Sequence, residues 1–284
     1  MRIDLHTHSR VSDGTDSPTA LVLKASQAGL DAIAITDHDT FGGVLEAQEA
    51  GRRIGLKVLC GIEMSTEVEG HPVHLLGYGC DLYDRELGAE LARIRHGRSH
   101  RLPMMVEKLN AAGIELTLDD VNRAAMGAPA VGRPHVADAM VARGHVADRE
   151  QAFSEWLAED RPGYVKRYAA SLERAIELIH GAKGVAVIAH PWARGGRAVI
   201  DGPYLEQLVA DYGLEGIEVD HPDHDPEARS LLFEMGGRPG LLRTGSSDYH
   251  GLGKRNNPLG ANLTRTSAFR DLQARIRRRG GQIV

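Results

Sequence analysis

Short apolar runs rich in β-branched residues alternate along this chain with longer runs of helical periodicity. Such alternation is typical of an α/β fold, in which a strand is followed by a helix that covers the sheet. We predict seven strands, at residues 2–6, 32–36, 57–65, 73–78, 185–190, 216–220 and 241–246. Between the first two, Ser17 and Pro18 suit a helix start and Gly29 its exit, and a second helix is predicted at residues 40–55.

The third and fourth predicted strands break this βα rhythm. Only the segment TEVEGHP separates them, whereas a parallel crossover needs about a dozen residues or more. We therefore expect the fourth strand to run antiparallel to the third. The sheet should close into a distorted (β/α)7 barrel.

The middle of the chain is predicted to be helical. No convincing strand occurs between Tyr78 and Val185. We expect residues 97–166 to form an inserted helical subdomain that binds substrate, and residues 1–96 and 167–284 to form the barrel. The insertion returns to the barrel through RPGYVKRY, which is rich in turn-forming and basic residues.

Histidines and carboxylates fall at the strand ends that would share one face of the barrel. The C-terminal ends of parallel barrel strands converge, and catalytic groups gather there from distant segments. If the fourth strand runs antiparallel, its beginning lies on the same face. Nine candidate metal ligands follow from this placement: His6, His8, Asp13, His38, Glu63, His74, His190, Asp248 and His250.

These nine side chains exceed what one metal ion needs. A tetrahedral zinc takes about four ligands, water included, so two or three divalent ions are expected. Nitrogen and oxygen donors without thiolate suit zinc, manganese or iron(II), and Glu63 is the candidate bridging carboxylate. A lone His-x-His can arise by chance, and Asp37 and Asp39 could cap a helix, but recurrence at six strand ends favours a metal site.

The composition of the chain limits which binding partners and which cellular compartment are expected. Lys and Arg number 34 against 39 Asp and Glu, a formal net charge of -5, which argues against a duplex-DNA binder but allows a small anionic substrate. Cys60 and Cys80 do not indicate a disulfide framework. The sequence contains no signal-peptide pattern and no apolar run approaching roughly 20 residues. We expect a soluble, cytoplasmic protein without a membrane partner.

The ordered motifs DLHTHS, ITDHD, GIEMS, VHLLGY, IAHP and GSSDYH resemble those of the amidohydrolase-like PHP (polymerase and histidinol phosphatase) family. The resemblance implies a distorted seven-stranded barrel, the PHP barrel, with a trinuclear site. By analogy, His6, His8, Glu63 and Asp248 hold one ion. Glu63, His74 and His190 hold the second, and Asp13, His38 and His250 hold the third.

The resemblance is strongest to the stand-alone TrpH-like branch, on the segments GRPHVA and YV that flank the helical insertion. Members of that branch remove the 3'-phosphate from nucleoside 3',5'-bisphosphates such as pAp, giving AMP and phosphate, and trim short 5'-phosphorylated RNA from the 5' end. The resemblance thus implies a metal-dependent phosphoesterase with a small nucleotide or a short RNA as its substrate.

Clustered divalent ions can activate a water and stabilise charge during in-line displacement, so the expected nucleophile is a metal-bridging hydroxide. The sequence contains no G-x-S-x-G motif, which would have indicated a serine nucleophile. The leaving group could take its proton from a metal-bound water, Asp39 or His221, and the sequence leaves that choice open.

Residues near the insertion and the strand ends are candidates for substrate binding. A guanidinium suits bidentate phosphate recognition, and we expect Arg133 to bind a phosphate that is not cleaved. The other candidates are His135, Lys166, Arg167, Arg194 and Trp192. We expect His71, His96, His100, His145, His180 and His224 to be solvated, and RIRRR near the C-terminus to form an exposed helix face.

The sequence leaves three rival functions open. A histidinol-phosphate phosphatase would share the scaffold but would not need a second phosphate site. A non-catalytic, metal-stabilised PHP module would not need the complete ligand set. Carbonyl or amide hydrolysis at the metals is the third.

Overall fold

The computed structural model describes residues 1–283, except for the side chain of Arg194. Its sheet follows the order β1-β2-β3-β4-β6-β7-β8, and a two-residue strand, β5, pairs with β3. The strands are β1 Ile3–Thr7, β2 Ala32–Ile35, β3 Lys57–Val68, β4 His71–Tyr78, β5 Ala170–Ser171, β6 Val185–Ala189, β7 Gly216–Asp220 and β8 Leu242–Gly245.

The sheet is a nearly closed barrel with one reversed strand. β4 runs antiparallel to both neighbours, β3 and β6, whereas the other neighbouring pairs on the path are parallel. An isolated parallel bridge between Thr7 and Tyr249 joins the end of β1 to the segment after β8. The predicted distorted seven-stranded barrel and its antiparallel fourth strand are both confirmed.

Helices cover the outside of the barrel. They are α1 Pro18–Gln27, α2 Val44–Ile54, α8 Leu172–Gly181, α9 Gly202–Tyr212, α10 Pro226–Gly237 and α11 Thr266–Arg279. The hydroxyl of Ser17 caps α1 by accepting from the Ala20 amide at 3.1 Å, and Gly29 takes a positive φ of 72° just after it. The second helix begins later than predicted because residues 41–43 form a turn before it.

Between β4 and β5 lie α3 Arg85–His100, α4 Leu102–Ala111, α5 Leu118–Ala125, α6 Arg133–Ala142 and α7 Arg149–Ala152, and a π-helical turn, Phe153–Leu157, follows α7. Leu87, Leu91 and Ile94 of α3 pack into the barrel's outer core. Helices α4 to α7 instead share a separate core that includes Leu109 and Met140. The predicted boundary at residue 97 therefore falls inside α3, and the separate core begins after Arg101.

Cys60 and Cys80 are free and buried. In the described part of the chain, no helix is both long and apolar enough to cross a bilayer.

Candidate metal centre

The strand ends deliver the nine candidate ligands to one end of the barrel interior. His6 lies in β1, Glu63 in β3 and His74 in β4, and the others follow β1, β2, β6 and β8. Because β4 is reversed, His74 lies opposite Ser65 on one side and Ala189 on the other, beside His190. All nine side chains are buried, so the fold gathers them away from bulk water.

The carboxylate of Glu63 lies at the middle of this set. Its Oε1 is 2.7 Å from Nδ1 of His74 and 3.0 Å from Nε2 of His190. Its Oε2 faces three further imidazoles, at 3.3 Å from His6, 3.2 Å from His8 and 3.0 Å from His38. A carboxylate with imidazoles facing both oxygens has the arrangement expected of a ligand shared between ions.

Two aspartates flank Glu63. Asp248 places Oδ1 at 3.4 Å from Nε2 of His8 and 3.6 Å from Nε2 of His6. Asp13 places Oδ1 at 3.2 Å from Nε2 of His250. Burial opposes ionisation of Asp248, but Lys254, His250 and His6 lower its pKa well below the usual value. The carboxylates are therefore in the charged form that metal binding requires.

The nitrogen atoms of the site support a fit to metal ions. Nε2 of His6, Nε2 of His8 and Nδ1 of His38 are buried, and although Oε2 of Glu63 lies within 3.3 Å of each, none makes a well-directed hydrogen bond within the described residues. Such atoms are costly to bury unless something satisfies them, and a divalent ion would do so.

Ligand atoms within 4.8 Å of one another define several groups that could each hold an ion. All nine predicted ligands occur among them, so the residues present fit a multinuclear centre. The groups include His8, Asp13, His38 and His250; His6, His8 and Asp248; His6, Glu63 and His190; His38, Glu63 and His74; and His6, Glu218 and His221.

Glu218, which was not predicted from the sequence, is fully buried in β7. Its Oε1 lies 3.3 Å from Nδ1 of His6, its Oε2 accepts from the His190 amide at 2.9 Å, and the Ser246 hydroxyl donates to it. Burial opposes its ionisation, but His6 and His221 lower its pKa to about 2. A glutamate within the apolar strand GIEVD was the available signal.

His221 and Asp39, the two candidate proton donors, lie in different surroundings. His221 is fully buried, its Nδ1 accepts from the Asp223 amide at 3.0 Å, and its Nε2 lies 3.3 Å from Oδ2 of Asp248. Asp39 accepts from Nε of Arg98 at 2.6 Å and from the amide and hydroxyl of Ser65. Despite burial, Arg98 lowers the pKa of Asp39 below its usual value, which makes Asp39 a poor proton donor.

Four arginines lie near one another: Arg98 and Arg167 interact with Asp39, and Arg101 and Arg133 lie near these two. We call this set the arginine cluster. Arg98 and Arg101 are buried and the other two are half-buried. Burial, followed by repulsion from the other three members, lowers the pKa of Arg101 to about 8, and burial followed by repulsion from Arg98 lowers that of Arg167 to about 9. Arg133 and Arg167 were candidates from the sequence, whereas Arg98 and Arg101 were not, because in the sequence they resemble solvated charges within a helical stretch.

The other substrate-binding candidates have contacts of their own within the protein. The exposed Lys166 is 3.6 Å from Glu67. Trp192 donates its indole N–H to the Ile200 carbonyl at 2.8 Å, and Arg197 lies over its ring. His135 is buried, and its Nδ1 accepts from the Gly132 amide at 3.1 Å. The side chain of Arg194 lies outside the described residues, and contact of any of these residues with substrate stays a prediction.

The expectation that six histidines are solvated is wrong for His224. That ring is buried, and its Nδ1 lies 2.9 Å from the Val219 carbonyl because the turn after β7 folds back on the strand. His145 and His180 are half-buried, with Nε2 at 2.8 Å from Glu115 O and Glu215 Oε2 respectively. The remaining three are exposed: His71, His96 and His100.

Comparison with known proteins agrees with this geometry. The chain is 37% identical to a 3',5'-nucleoside bisphosphate phosphatase of Chromobacterium violaceum, over 97% of this chain and 98% of the relative. It is 33% identical to the 5'-3' exoribonuclease Rnm of Escherichia coli, over 87% of this chain and 84% of the relative.

Among solved structures, a protein of Bifidobacterium adolescentis named as a metal-dependent phosphoesterase superposes with a TM-score of 0.91 at 38% identity, over 96% of each chain. The PHP domain family matches residues 4–183, a range that includes six of the nine candidate ligands. With its barrel, its ligand set and these relatives, this chain belongs to the PHP domain family.

Proposed function

We propose that this metal-dependent phosphoesterase removes the 3'-phosphate from nucleoside 3',5'-bisphosphates such as pAp, and shortens 5'-phosphorylated RNA from its 5' end. The observation that carries the proposal is the arginine cluster beside the metal centre. Asp39, which binds Arg98, directly follows the candidate ligand His38. One substrate could therefore place one phosphate at the metals and another at the arginines.

The cluster has the character of an anion site. Nε of Arg101 is buried without a hydrogen-bond partner within the described residues. A guanidinium keeps its proton in proteins, so the lowered pKa of Arg101 expresses an unfavourable concentration of positive charge. A phosphate bound there would offset the repulsion and accept charge-assisted hydrogen bonds.

Three members of the cluster, Arg98, Arg101 and Arg133, are held in place by hydrogen bonds within the protein. Arg98 is held by Asp39 and Ser65, and Nη1 of Arg101 donates to the Val165 carbonyl at 3.2 Å. Nη1 of Arg133 donates to the Leu157 carbonyl at 3.2 Å, and its guanidinium lies near the rings of Phe153 and Tyr164. These contacts pre-position the donors, which reduces the entropy lost when a phosphate binds.

A common geometry accounts for both substrates. If the cluster binds the 5'-phosphate, the 3' oxygen of the same nucleotide faces the metals. The ester cleaved is then a terminal 3'-phosphate in a bisphosphate, or the first internal phosphodiester in RNA. The names of the two enzymatic relatives support both substrate classes.

Two or three divalent ions, Mn, Zn or Fe(II), would be held by the nine ligands, and when bound they would activate a water and neutralise charge on the phosphate. The chain's own residues orient these ligands. Glu218 accepts from the imidazole of His6, which directs the other nitrogen of that ring towards Glu63 and Asp248. His221 is the better placed of the two candidate proton donors, because Arg98 and Ser65 engage Asp39.

The substrate proposal is tested with the metal-loaded protein and a matched set of esters. We expect phosphate release from a nucleoside 3',5'-bisphosphate to have a much higher kcat/KM than release from the 3'-monophosphate of the same nucleoside. RNA bearing a 5'-phosphate should be shortened from that end faster than RNA with a 5'-hydroxyl. Equal rates with and without the 5'-phosphate would contradict the proposal, and preference for histidinol phosphate would favour that rival.

A further inference from the structure

Arg149, at the start of α7, joins the helical insertion to the barrel. Its Nε and Nη2 donate to the two carboxylate oxygens of Asp138 in α6, both at 2.6 Å. Its remaining nitrogen, Nη1, donates to the backbone carbonyl of Asp13 at 2.9 Å. Asp138 thus fixes the plane of the guanidinium, and that plane directs the third nitrogen at the loop that carries a candidate metal ligand.

The same guanidinium also packs on the segment after His250. A Cβ added at Gly253 would lie 2.1 Å from Nη1 of Arg149 and 2.9 Å from Cζ. Glycine is therefore the residue that leaves room for Arg149 at this turn. The side chain is only 14% exposed, so it fills the junction between two ligand-bearing segments of the barrel.

His135 provides a second contact between the insertion and this loop. Its Nδ1 accepts from the Gly132 amide, which leaves the proton on Nε2. On the side that faces the barrel, the His135 ring forms a hydrogen bond with the backbone of Ser12. The insertion therefore binds two consecutive residues of the loop, Ser12 and Asp13.

The barrel supports the loop from its other side. Asp37 accepts from the amide and hydroxyl of Ser9 and from the hydroxyl of Ser12. These contacts anchor the beginning of the loop but do not include Asp13 itself. The Asp13 carboxylate extends towards His250, at 3.2 Å, and His38, at 3.7 Å. Within the loop, the Ser12 hydroxyl lies 3.3 Å from Oδ1 of Asp13. Arg149 binds the Asp13 backbone carbonyl, so it is the contact through which the insertion influences the position of this carboxylate.

We propose that Arg149 is a positioning residue that holds Asp13 in place for metal binding at the group formed by His8, Asp13, His38 and His250. The insertion then does more than bind substrate, because it completes one metal subsite of the barrel. Loss of Arg149 should weaken binding of one ion and leave the ions near Glu63 in place.

The test compares the metal content of Arg149→Ala, Arg149→Lys and the parent protein. Each is equilibrated with a series of Mn²⁺ concentrations, separated from free metal and analysed for bound ions per chain. We expect Arg149→Ala to bind about 10-fold more weakly at one ion, as when a group that orients a metal ligand is lost. Arg149→Lys, which keeps one donor for the Asp13 carbonyl, should recover part of this loss.

A matched control is Arg123→Ala. Arg123 also lies in the insertion and pairs with an aspartate, Asp120, but its side chain is 71% exposed. This variant should bind metal as the parent does. In steady-state assays, Arg149→Ala should lower kcat at fixed Mn²⁺ and recover towards the parent value as Mn²⁺ is raised, with little change in KM.

Circular dichroism establishes that each variant is folded. A folded Arg149→Ala protein that binds Mn²⁺ with the parent's stoichiometry and midpoint would overturn the proposal. If Arg149→Ala does not fold, Asp138→Asn decides, because it weakens the support of the guanidinium without removing it. An unchanged Mn²⁺ titration of folded Asp138→Asn would then overturn the proposal, and a weakened one would support it.

Discussion

The carboxylate of Glu218 faces Nδ1 of His6 at 3.3 Å, so the opposite nitrogen of that imidazole is directed at Glu63 and Asp248. Metal-binding histidines commonly donate their second N–H to a carboxylate, which fixes the tautomer and raises ligand basicity. Glu218 has this relationship to His6 and also accepts from the backbone of His190.

We predict that Glu218→Gln weakens metal binding by about 10–100-fold, because the neutral amide cannot fix the imidazole in the same way. Bound metal per chain and kcat at limiting Mn²⁺ should both fall. Glu215→Gln is the matched control, since Glu215 contacts His180 and Arg279 at the opposite end of β7. Equal metal binding by the two variants would remove this role from Glu218.

Arg133→Ala should raise KM for a nucleoside 3',5'-bisphosphate by about 10-fold or more, since a charge-assisted hydrogen bond contributes about 1.5–3 kcal/mol. KM for a simple phosphomonoester such as p-nitrophenyl phosphate should change little, because that substrate has no second phosphate. Equal losses on both substrates would remove the assignment of Arg133. Arg123→Ala serves as the control, being an exposed arginine of the insertion.

The substitution Arg101→Met distinguishes the contribution of Arg101 to substrate binding from its effect on the stability of the fold. The substitution removes a buried cation that is repelled by Arg133, Arg167 and Arg98 and replaces it with an apolar chain of comparable length. We expect the unfolding temperature of the substrate-free protein to stay the same or rise, as when buried charges are replaced by apolar groups. KM for the bisphosphate should increase, and a lowered unfolding temperature with unchanged KM would contradict both expectations.

Removal of metal by a chelator should abolish phosphate release and lower the unfolding temperature. The buried nitrogens of His6, His8 and His38 then have no partner. One ion at 100 times its dissociation constant stabilises the folded state by about 2.7 kcal/mol. Differential scanning calorimetry across a Mn²⁺ series checks this, with Mg²⁺ at matched ionic strength as the control. A metal-independent unfolding temperature would contradict the proposed centre.

Leu109→Ala tests the separate core of the insertion. Leu109 is fully buried among the α4 to α7 side chains, and truncating such a leucine costs about 2–5 kcal/mol. We expect hydrogen exchange to rise in residues 102–157 while the barrel strands stay protected. Activity on p-nitrophenyl phosphate should decline less than activity on the bisphosphate. A uniform loss of protection against hydrogen exchange in both the insertion and the barrel would show that the two unfold as one unit.

The sequence sufficed for features that depend on local pattern. Strand periodicity, with the seven-residue link before β4, predicted the barrel and its reversed strand. The histidines at strand ends were visible because those positions are otherwise apolar or turn-forming. His74 was predicted to lie on the same face as the other candidate ligands because an antiparallel fourth strand was predicted, and its Nδ1 lies 2.7 Å from Oε1 of Glu63.

Features that depend on packing between distant segments could not be predicted in the same way. Glu218 lies within an apolar strand, and its partner His6 is 212 residues away. Arg98 lies in α3 and Arg101 directly follows that helix, whose sequence resembles a solvated one. Their burial depends on distant segments, since Arg98 binds Asp39 and Ser65 and Arg101 binds the Val165 carbonyl. His224 is buried because a turn folds back on β7, which residue spacing does not indicate.

The spread of the ligands from His6 to His250 has a consequence for how the protein is made. During synthesis on a ribosome, the first histidines emerge long before Asp248 and His250 exist. The complete centre cannot assemble until the chain has emerged through His250 and the last strand has docked. Metal binding at the groups that include Asp248 or His250 can therefore stabilise only a barrel whose last strand has docked. A truncated chain that lacks β8 and the residues after it should be left without that stabilisation and exposed to proteolysis.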